Sequence, residues 1–348
     1  MSRRRRVLFI LIALGLSLGI ALGVGELILR MQTEAVRSSE HMDPNLLRYD
    51  RTLGWAVTPG WQGRHRHHDF DVAYHISSKG LRGPWPGRKE GERIVLVGDS
   101  FTFGLGVDEG ETFAERLAAL GEEERRDVVN LALPGYSTDQ EVLLFERVAP
   151  GLAPDRVVLV VCLINDVFDN LRLFPLQAMQ GKPRFRLDPE RGLALENVPV
   201  PTKPKGPEDM QEDLASLVMG ESRERQGRLA RWLGRMEISR RLGLFQPTFV
   251  APPGHFDTRF EEGLALFDAL VDRLRRRVEA EQASLLVAVL SGRSFVEDVG
   301  GYSEQYQEYL RRQILERTRS RGIKGIDLAL PLREAHDAGE GPFFHPNE

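Results

Sequence analysis

Between Arg93 and Gly106 the chain reads Arg-Ile-Val-Leu-Val-Gly-Asp-Ser-Phe-Thr-Phe-Gly-Leu-Gly, an apolar stretch that runs straight into a Gly-Asp-Ser turn. Ile94 to Val97 are all β-branched or aliphatic, the pattern of a strand covered on both faces, and such strands belong to parallel sheets flanked by helices. Gly98 permits a sharp bend. Ser100 falls where the strand gives way to a loop and a helix, at the carboxyl edge where open α/β sheets hold their ligands. Two readings of the turn are open: Ser100 is a nucleophile, or Asp99 and Ser100 simply cap the helix.

The same rhythm recurs along the chain. Val128 to Leu133 predict a strand closed by Pro134-Gly-Tyr-Ser137, and Val157 to Ile164 a central strand ending at Asn165-Asp166. Leu285 to Leu290 and Ile326-Asp-Leu328 predict two more. Between them, Phe113, Leu117 and Leu120 share a helical face, and Thr138 with Glu141 has the form of a capping box. Phe260, Leu264, Phe267, Val271, Leu274 and Val278 mark a long helix, and Gln305 to Arg321 another. About five strands alternating with helices predict an α/β domain with a doubly wound parallel sheet, over residues 91–348.

Residues 168–256 interrupt this rhythm as an insertion. Asp188-Pro-Glu-Arg-Gly192 predicts a hairpin, and Pro199, Pro201, Pro204 and Pro207 an extended linker. Leu229, Trp232, Leu233 and Met236 then recur at helical spacing among Arg223, Arg225, Arg228, Arg231 and Arg235. This segment reads as a packed lid helix with a solvated face, or as a helix lying on an anionic membrane surface.

The N-terminus is different in kind. Arg3 to Arg6 precede Val7 to Gly25, nineteen residues without a charge. At ~1.5 Å per residue that length nearly matches a ~30 Å hydrocarbon core. Flanking arginines stay in the cytoplasm, so residues 1–30 read as a single-pass anchor in the inner membrane with the rest periplasmic or extracellular. A cleaved signal peptide, giving a secreted protein, is the alternative. Residues 31–90 read as a connecting region with one half-exposed strand, in which Phe70, Val72, Tyr74 and Ile76 alternate with polar or small neighbours.

A net charge of −4 gives no support for nucleic-acid binding, and the single cysteine, Cys162, reads as a core residue. His65, His67 and His68 are interleaved with Arg64 and Arg66, which repel a cation. The expectation there is a solvated basic loop and no metal.

In a parallel sheet the turns after three strands, at Ser100, Gly135 and Asn165, lie on one edge. Acyl transfer needs a nucleophile, a base, and donors aimed at the developing oxyanion. Ser100 supplies the first. The Ser100 and Gly135 backbone N–H groups and the Asn165 amide are candidate oxyanion donors, and His345, beyond the last strand, is the candidate base. Neither metal nor cofactor is required. Asp99 reads as a turn carboxylate, Asp166 as a loop anchor, Asp327 as structural, and His336 as a lesser alternative base.

Gly98-Asp-Ser-Phe, Asn130 to Gly135, Asn165-Asp166 and His345-Pro-Asn347 together resemble the successive blocks of the SGNH (GDSL) hydrolase superfamily. The resemblance covers residues 93 to 348. It implies a flavodoxin-like three-layer α/β/α sandwich and serine ester hydrolysis, with Ser100 as nucleophile, Gly135 and Asn165 as oxyanion donors and His345 as base. The anchor, Gly54-Trp55 and Gly80-Leu-Arg82 also resemble bacterial exported members. The family's usual aspartate before the histidine is replaced by Pro342 and Phe343, leaving Asp337 or Glu340 as possible third triad members, or a Ser-His dyad. Leu163-Ile164 replace the glycine that commonly precedes Asn-Asp, and the sequence stops three residues after His345, where the family has another helix. The implied substrate is an ester-bearing small molecule, lipid or acylated glycan. Alternatives are an O-acyltransferase or deacetylase acting on envelope polysaccharide, and a degenerate, non-catalytic glycan- or partner-binding module.

Overall fold

Strands that are apolar on both faces need a helical layer on each side, and the computed structural model has that arrangement. It describes residues 3–39, 41–120, 126–175, 178–206, 228–242, 244, 254–297, 300–341 and 343–344. Helix α1 (Arg3–Ser39) comes first; it is long and apolar enough to cross a membrane, and its side chains from Val7 to Val24 are exposed. Five short strands follow: β1 (His41–Met42), β2 (Leu47–Asp50), β3 (Gly54–Val57), β4 (Gln62–Arg66) and β5 (Asp71–His75). β2 and β3 pair antiparallel, and β1, β4 and β5 form a three-stranded antiparallel sheet.

The main domain then runs β6 (Arg93–Gly98), α2 (Ser100–Phe103), α3 (Phe113–Leu120), β7 (Asp127–Ala132), α4 (Thr138–Val148), β8 (Arg156–Cys162) and α5 (Asp166–Asp169). The insertion contributes the hairpin β9 (Arg184–Asp188) and β10 (Gly192–Glu196) and the short helices α6 (Arg228–Gly234) and α7 (Glu237–Arg241). The chain continues with α8 (His255–Arg259), α9 (Glu261–Ala280), β11 (Ser284–Leu290), α10 (Arg293–Val296), α11 (Tyr302–Ser320), β12 (Lys324–Asp327) and α12 (Ala329–Asp337).

The five-stranded sheet has the order β12-β11-β8-β6-β7, every neighbouring pair parallel. Taken by chain position this is the 2-1-3-4-5 order of a flavodoxin-like sheet, and its direction of winding reverses between β6 and β8. Alternation along β6 serves both faces: Val95 and Val97 join the large core, whereas Ile94 and Leu96 meet Ala114 of α3.

Three local expectations are corrected. Helix α3 turns Ala114 inward and leaves Leu120 84% exposed, because the helix starts one residue after Thr112, whose hydroxyl and backbone pair with Glu115 in a true capping box. At α4 the N-cap is Ser137, and Thr138 and Glu141 point into the core, so no box forms there. In the histidine segment, strand alternation sends Arg64 and Arg66 outward and buries His65, whose Nδ1 lies 3.0 Å from the Tyr74 hydroxyl. The segment is therefore not a solvated loop.

Candidate active site

Ser100 is the first residue of α2, at the carboxyl end of β6 and beside the point where the winding reverses. The turn tolerates little else: a Cβ at Gly98 would lie 2.3 Å from Thr102 Oγ1. Asp99 caps α2 by accepting the Phe101 N–H at 2.9 Å, so the capping reading holds for Asp99 while Ser100 lines a pocket.

The turn is held from behind by residues of the N-terminal sheet. The buried Arg82 guanidinium donates to Phe103 O at 2.8 Å and to the carbonyls of Gly104 and Val107, and it stacks over the Tyr74 and Phe103 rings. Burial pulls its pKa down from the usual arginine range, with nearby acidic groups opposing. Tyr74 Oη accepts the Gly106 N–H at 2.8 Å, and Asn130 Nδ2 donates to Thr102 O at 2.9 Å. Gly80-Leu-Arg82 was visible in the sequence as a motif. Its role was not, because nothing local says that an arginine will bridge to carbonyls some 20 residues on.

The second turn carries Gly135, whose φ of +76° suits glycine. Trp55 Nε1 donates to Pro134 O at 3.0 Å, and Tyr136 Oη donates to Trp55 O at 2.6 Å, so strand β3 buttresses this turn. Ser100 and Gly135 face one pocket of about 500 Å³, whose apolar wall includes Tyr49, Trp55, Leu105 and Met179. The Tyr49 hydroxyl is engaged by Val200 O, so both aromatic polar atoms are directed at backbone and the wall stays apolar. Arg48 and Gln180 supply its polar edge.

Asn165 follows β8, the strand paired with β6, and is buried; its Nδ2 donates to Asp169 Oδ2 at 3.3 Å. It does not line the pocket that Ser100 and Gly135 share. Asp166 anchors its loop by accepting the Cys162 N–H at 2.7 Å, and Asp327 caps α12 and pairs with Arg311. His345 and Pro342 lie outside the described residues. Phe344, directly before His345 in the chain, packs edge-on against Phe101 and against the cluster of Phe295, Val296 and Ala329. Asp337 ends α12 and Glu340 follows it; both are exposed, and His336 is half-buried on the same helix.

Sequence reasoning missed the charge buried under the site. Asp99, Glu141 and Asp166 are all within the core. Burial pushes Asp99 up to about 6 against the hydrogen bonds it accepts. It pushes Glu141 and Asp166 well above the carboxylate range, reinforced by their neighbours' negative charge. Both oxygens of Glu141 and Oδ1 of Asp166 have no hydrogen-bond partner. Nearby, Lys182 of the insertion forms a fully buried ion pair with Asp139. As for metals, His67, His68 and Asp69 are the one set among the described residues whose ligating atoms lie within 4.8 Å of one another.

Residues 96–348 match the family model of the GDSL-like lipase/acylhydrolase family. No curated protein matches. Among solved structures, the chain is similar to AlinE4, an SGNH-hydrolase family esterase, at 12% identity, 75% and 89% coverage of the two chains and a TM-score of 0.37. It is also similar to TesA (12%; 67% and 77%; 0.34) and to a catalytic mutant of Axe2, an acetylxylan esterase from Geobacillus stearothermophilus (14%; 71% and 81%; 0.36). With the Ser100, Gly135 and Asn165 turns following strands of one parallel 2-1-3-4-5 sheet and nearly the whole of the main domain matched, the chain belongs to the GDSL-like lipase/acylhydrolase family of the SGNH superfamily.

Proposed function

We propose that the protein is a serine ester hydrolase working through an acyl-enzyme at Ser100, on the outer side of a membrane in which α1 is the anchor. The observation that carries this reading is the shared pocket of Ser100 and Gly135 at the winding reversal. Ser100 Oγ attacks the ester carbonyl carbon and its proton passes to His345. The carbonyl oxygen becomes an oxyanion facing the Ser100 and Gly135 N–H groups; the Asn165 amide, bonded to Asp169 in this structure, becomes the third donor on turning toward the pocket. Collapse expels the alcohol, which takes the proton from His345. Water then repeats the sequence on the acyl-enzyme and releases the carboxylic acid. The apolar wall suits a hydrocarbon or aromatic portion of the ester.

Covalent labelling by an organophosphonate, followed by mass spectrometry of the peptide containing Ser100, tests the reading. Labelling that vanishes in Ser100→Ala supports it. A folded protein that does not label, or Ser100→Ala labelling equal to wild type, refutes the nucleophile assignment, and an esterase rate unchanged in His345→Ala refutes the base.

A further inference from the structure

The insertion helices α6 and α7 sit where the apolar run of α1 ends. Glu26, the first charged residue after Val7–Gly25, is buried against α7 and caps its N-terminus, accepting the Glu237 N–H at 2.9 Å and the Ile238 N–H at 3.1 Å. Thr33 donates to Glu237 Oε1 at 2.9 Å, about two turns further along α1. Beside this junction large apolar side chains face outward: Leu229 is 68% exposed, Trp232 61% and Leu242 65%, with Leu244 also exposed, while Leu233 and Met236 are half-buried. Arg235, Arg240 and Arg241 share the segment and are exposed, and Glu237 balances one of their charges.

We propose that α6 and α7 lie on the bilayer surface beside the exit of α1, placing Leu229, Trp232 and Leu242 among acyl chains and the arginines among anionic phosphate headgroups. Three observations converge on lipid as the occupant. The segment is bonded to α1, the one helix among the described residues long and apolar enough to cross a membrane, and Glu26 fixes α7 at the level where that helix leaves its apolar run. Its exposed aromatic and leucine side chains match what interfacial helices bury. Its net positive charge complements anionic headgroups. The pairing of α1 with α7 would hold the catalytic domain in one orientation over the membrane. This rests on α1 spanning the bilayer, and it deepens the proposed setting without depending on the chemistry at Ser100.

The test uses the full chain in vesicles of phosphatidylcholine with a minority of phosphatidylglycerol. Nitroxide labels are placed one at a time through Leu14→Cys, Leu229→Cys, Trp232→Cys, Leu242→Cys and Arg240→Cys; buried Cys162 stays unlabelled. Collision with oxygen should dominate over collision with a water-soluble nickel chelate at 14, 229, 232 and 242, and the order should reverse at 240. Replacing phosphatidylglycerol by phosphatidylcholine should shift 229, 232 and 242 toward the nickel signal and leave 14 unchanged. Water-like signals at 229, 232 and 242 with a lipid-like signal at 14 would overturn the docking surface. Spin broadening at 232 that disappears on dilution with unlabelled chain would assign the face to a second copy. A water-like signal at 14 would overturn the membrane setting itself, and organophosphonate labelling of the same samples reports the hydrolase reading separately.

Discussion

The Phe344 ring stands edge-on to the Phe101 ring, with centroids 6.5 Å apart and planes at 77°. Phe101 follows the candidate nucleophile and Phe344 precedes the candidate base, so one aromatic contact joins the two ends of the proposed machinery. Phe344→Ala should therefore lower kcat by up to about 10²-fold, the scale at which a ~1 Å misplacement of a catalytic group is felt. Thermal stability should fall little, since Phe344 is only half-buried. Steady-state kinetics beside a melting curve check this; unchanged kcat would remove the link.

Arg82 holds carbonyls that have turned away from water. Arg82→Met should destabilise the fold by about 3 kcal/mol or more, because several buried acceptors lose a charged donor. Arg82→Lys should recover part of the stability. Lysine reaches fewer carbonyls and lacks the planar guanidinium stacked on Tyr74 and Phe103, so chemical denaturation should rank wild type above the lysine variant and that above the methionine variant.

The buried carboxyls give the stability a definite pH slope. Asp99, Glu141 and Asp166 all have folded pKa values raised above their unfolded ones, so the folded chain binds more protons. Their contribution favours folding below about pH 4 and is lost as pH rises from there through about 6 for Asp99 and beyond for the other two. Glu141→Gln removes one of these groups without changing its shape. Its melting temperature should exceed that of wild type at about pH 8, and the fall between about pH 5 and about pH 8 should shrink. Equal slopes would mean that Glu141 holds its proton no more tightly in the folded chain than in the unfolded one, so that its pKa is not raised.

The Lys182–Asp139 pair ties the insertion to the start of α4 and is fully buried. Lys182→Met leaves Asp139 as an uncompensated buried acid and should cost about 3–5 kcal/mol. Pairing it with Asp139→Asn should restore much of that loss, a coupling that a double-mutant cycle measures directly.

Much of the sheet was legible because a doubly buried strand advertises itself. Val157 to Ile164 predicted the central strand, and β8 occupies the middle of the sheet. The turns at Gly98 and Gly135 were equally readable, since each needs glycine for a steric reason that the residue itself announces. What escaped notice depends on distant partners. Arg82, Tyr74 and Trp55 looked like parts of a connecting region, yet they brace the Ser100 and Gly135 turns through bonds spanning from about 20 to 80 residues. The helix face was misjudged at α3 for a related reason: periodicity marks a stripe but does not say which neighbour will cover it.

The pocket beside Ser100 is walled largely by β2, β3 and the insertion, none of which belongs to the five-stranded sheet that bears the proposed nucleophile. On the proposed reading, chemistry and selectivity sit on separate stretches of chain. Exchange of Tyr49 or Met179, or of the loop that bears the latter, would then retune which ester enters while the proposed nucleophile turn stays as it is, so relatives could diverge in diet without relearning how to cut.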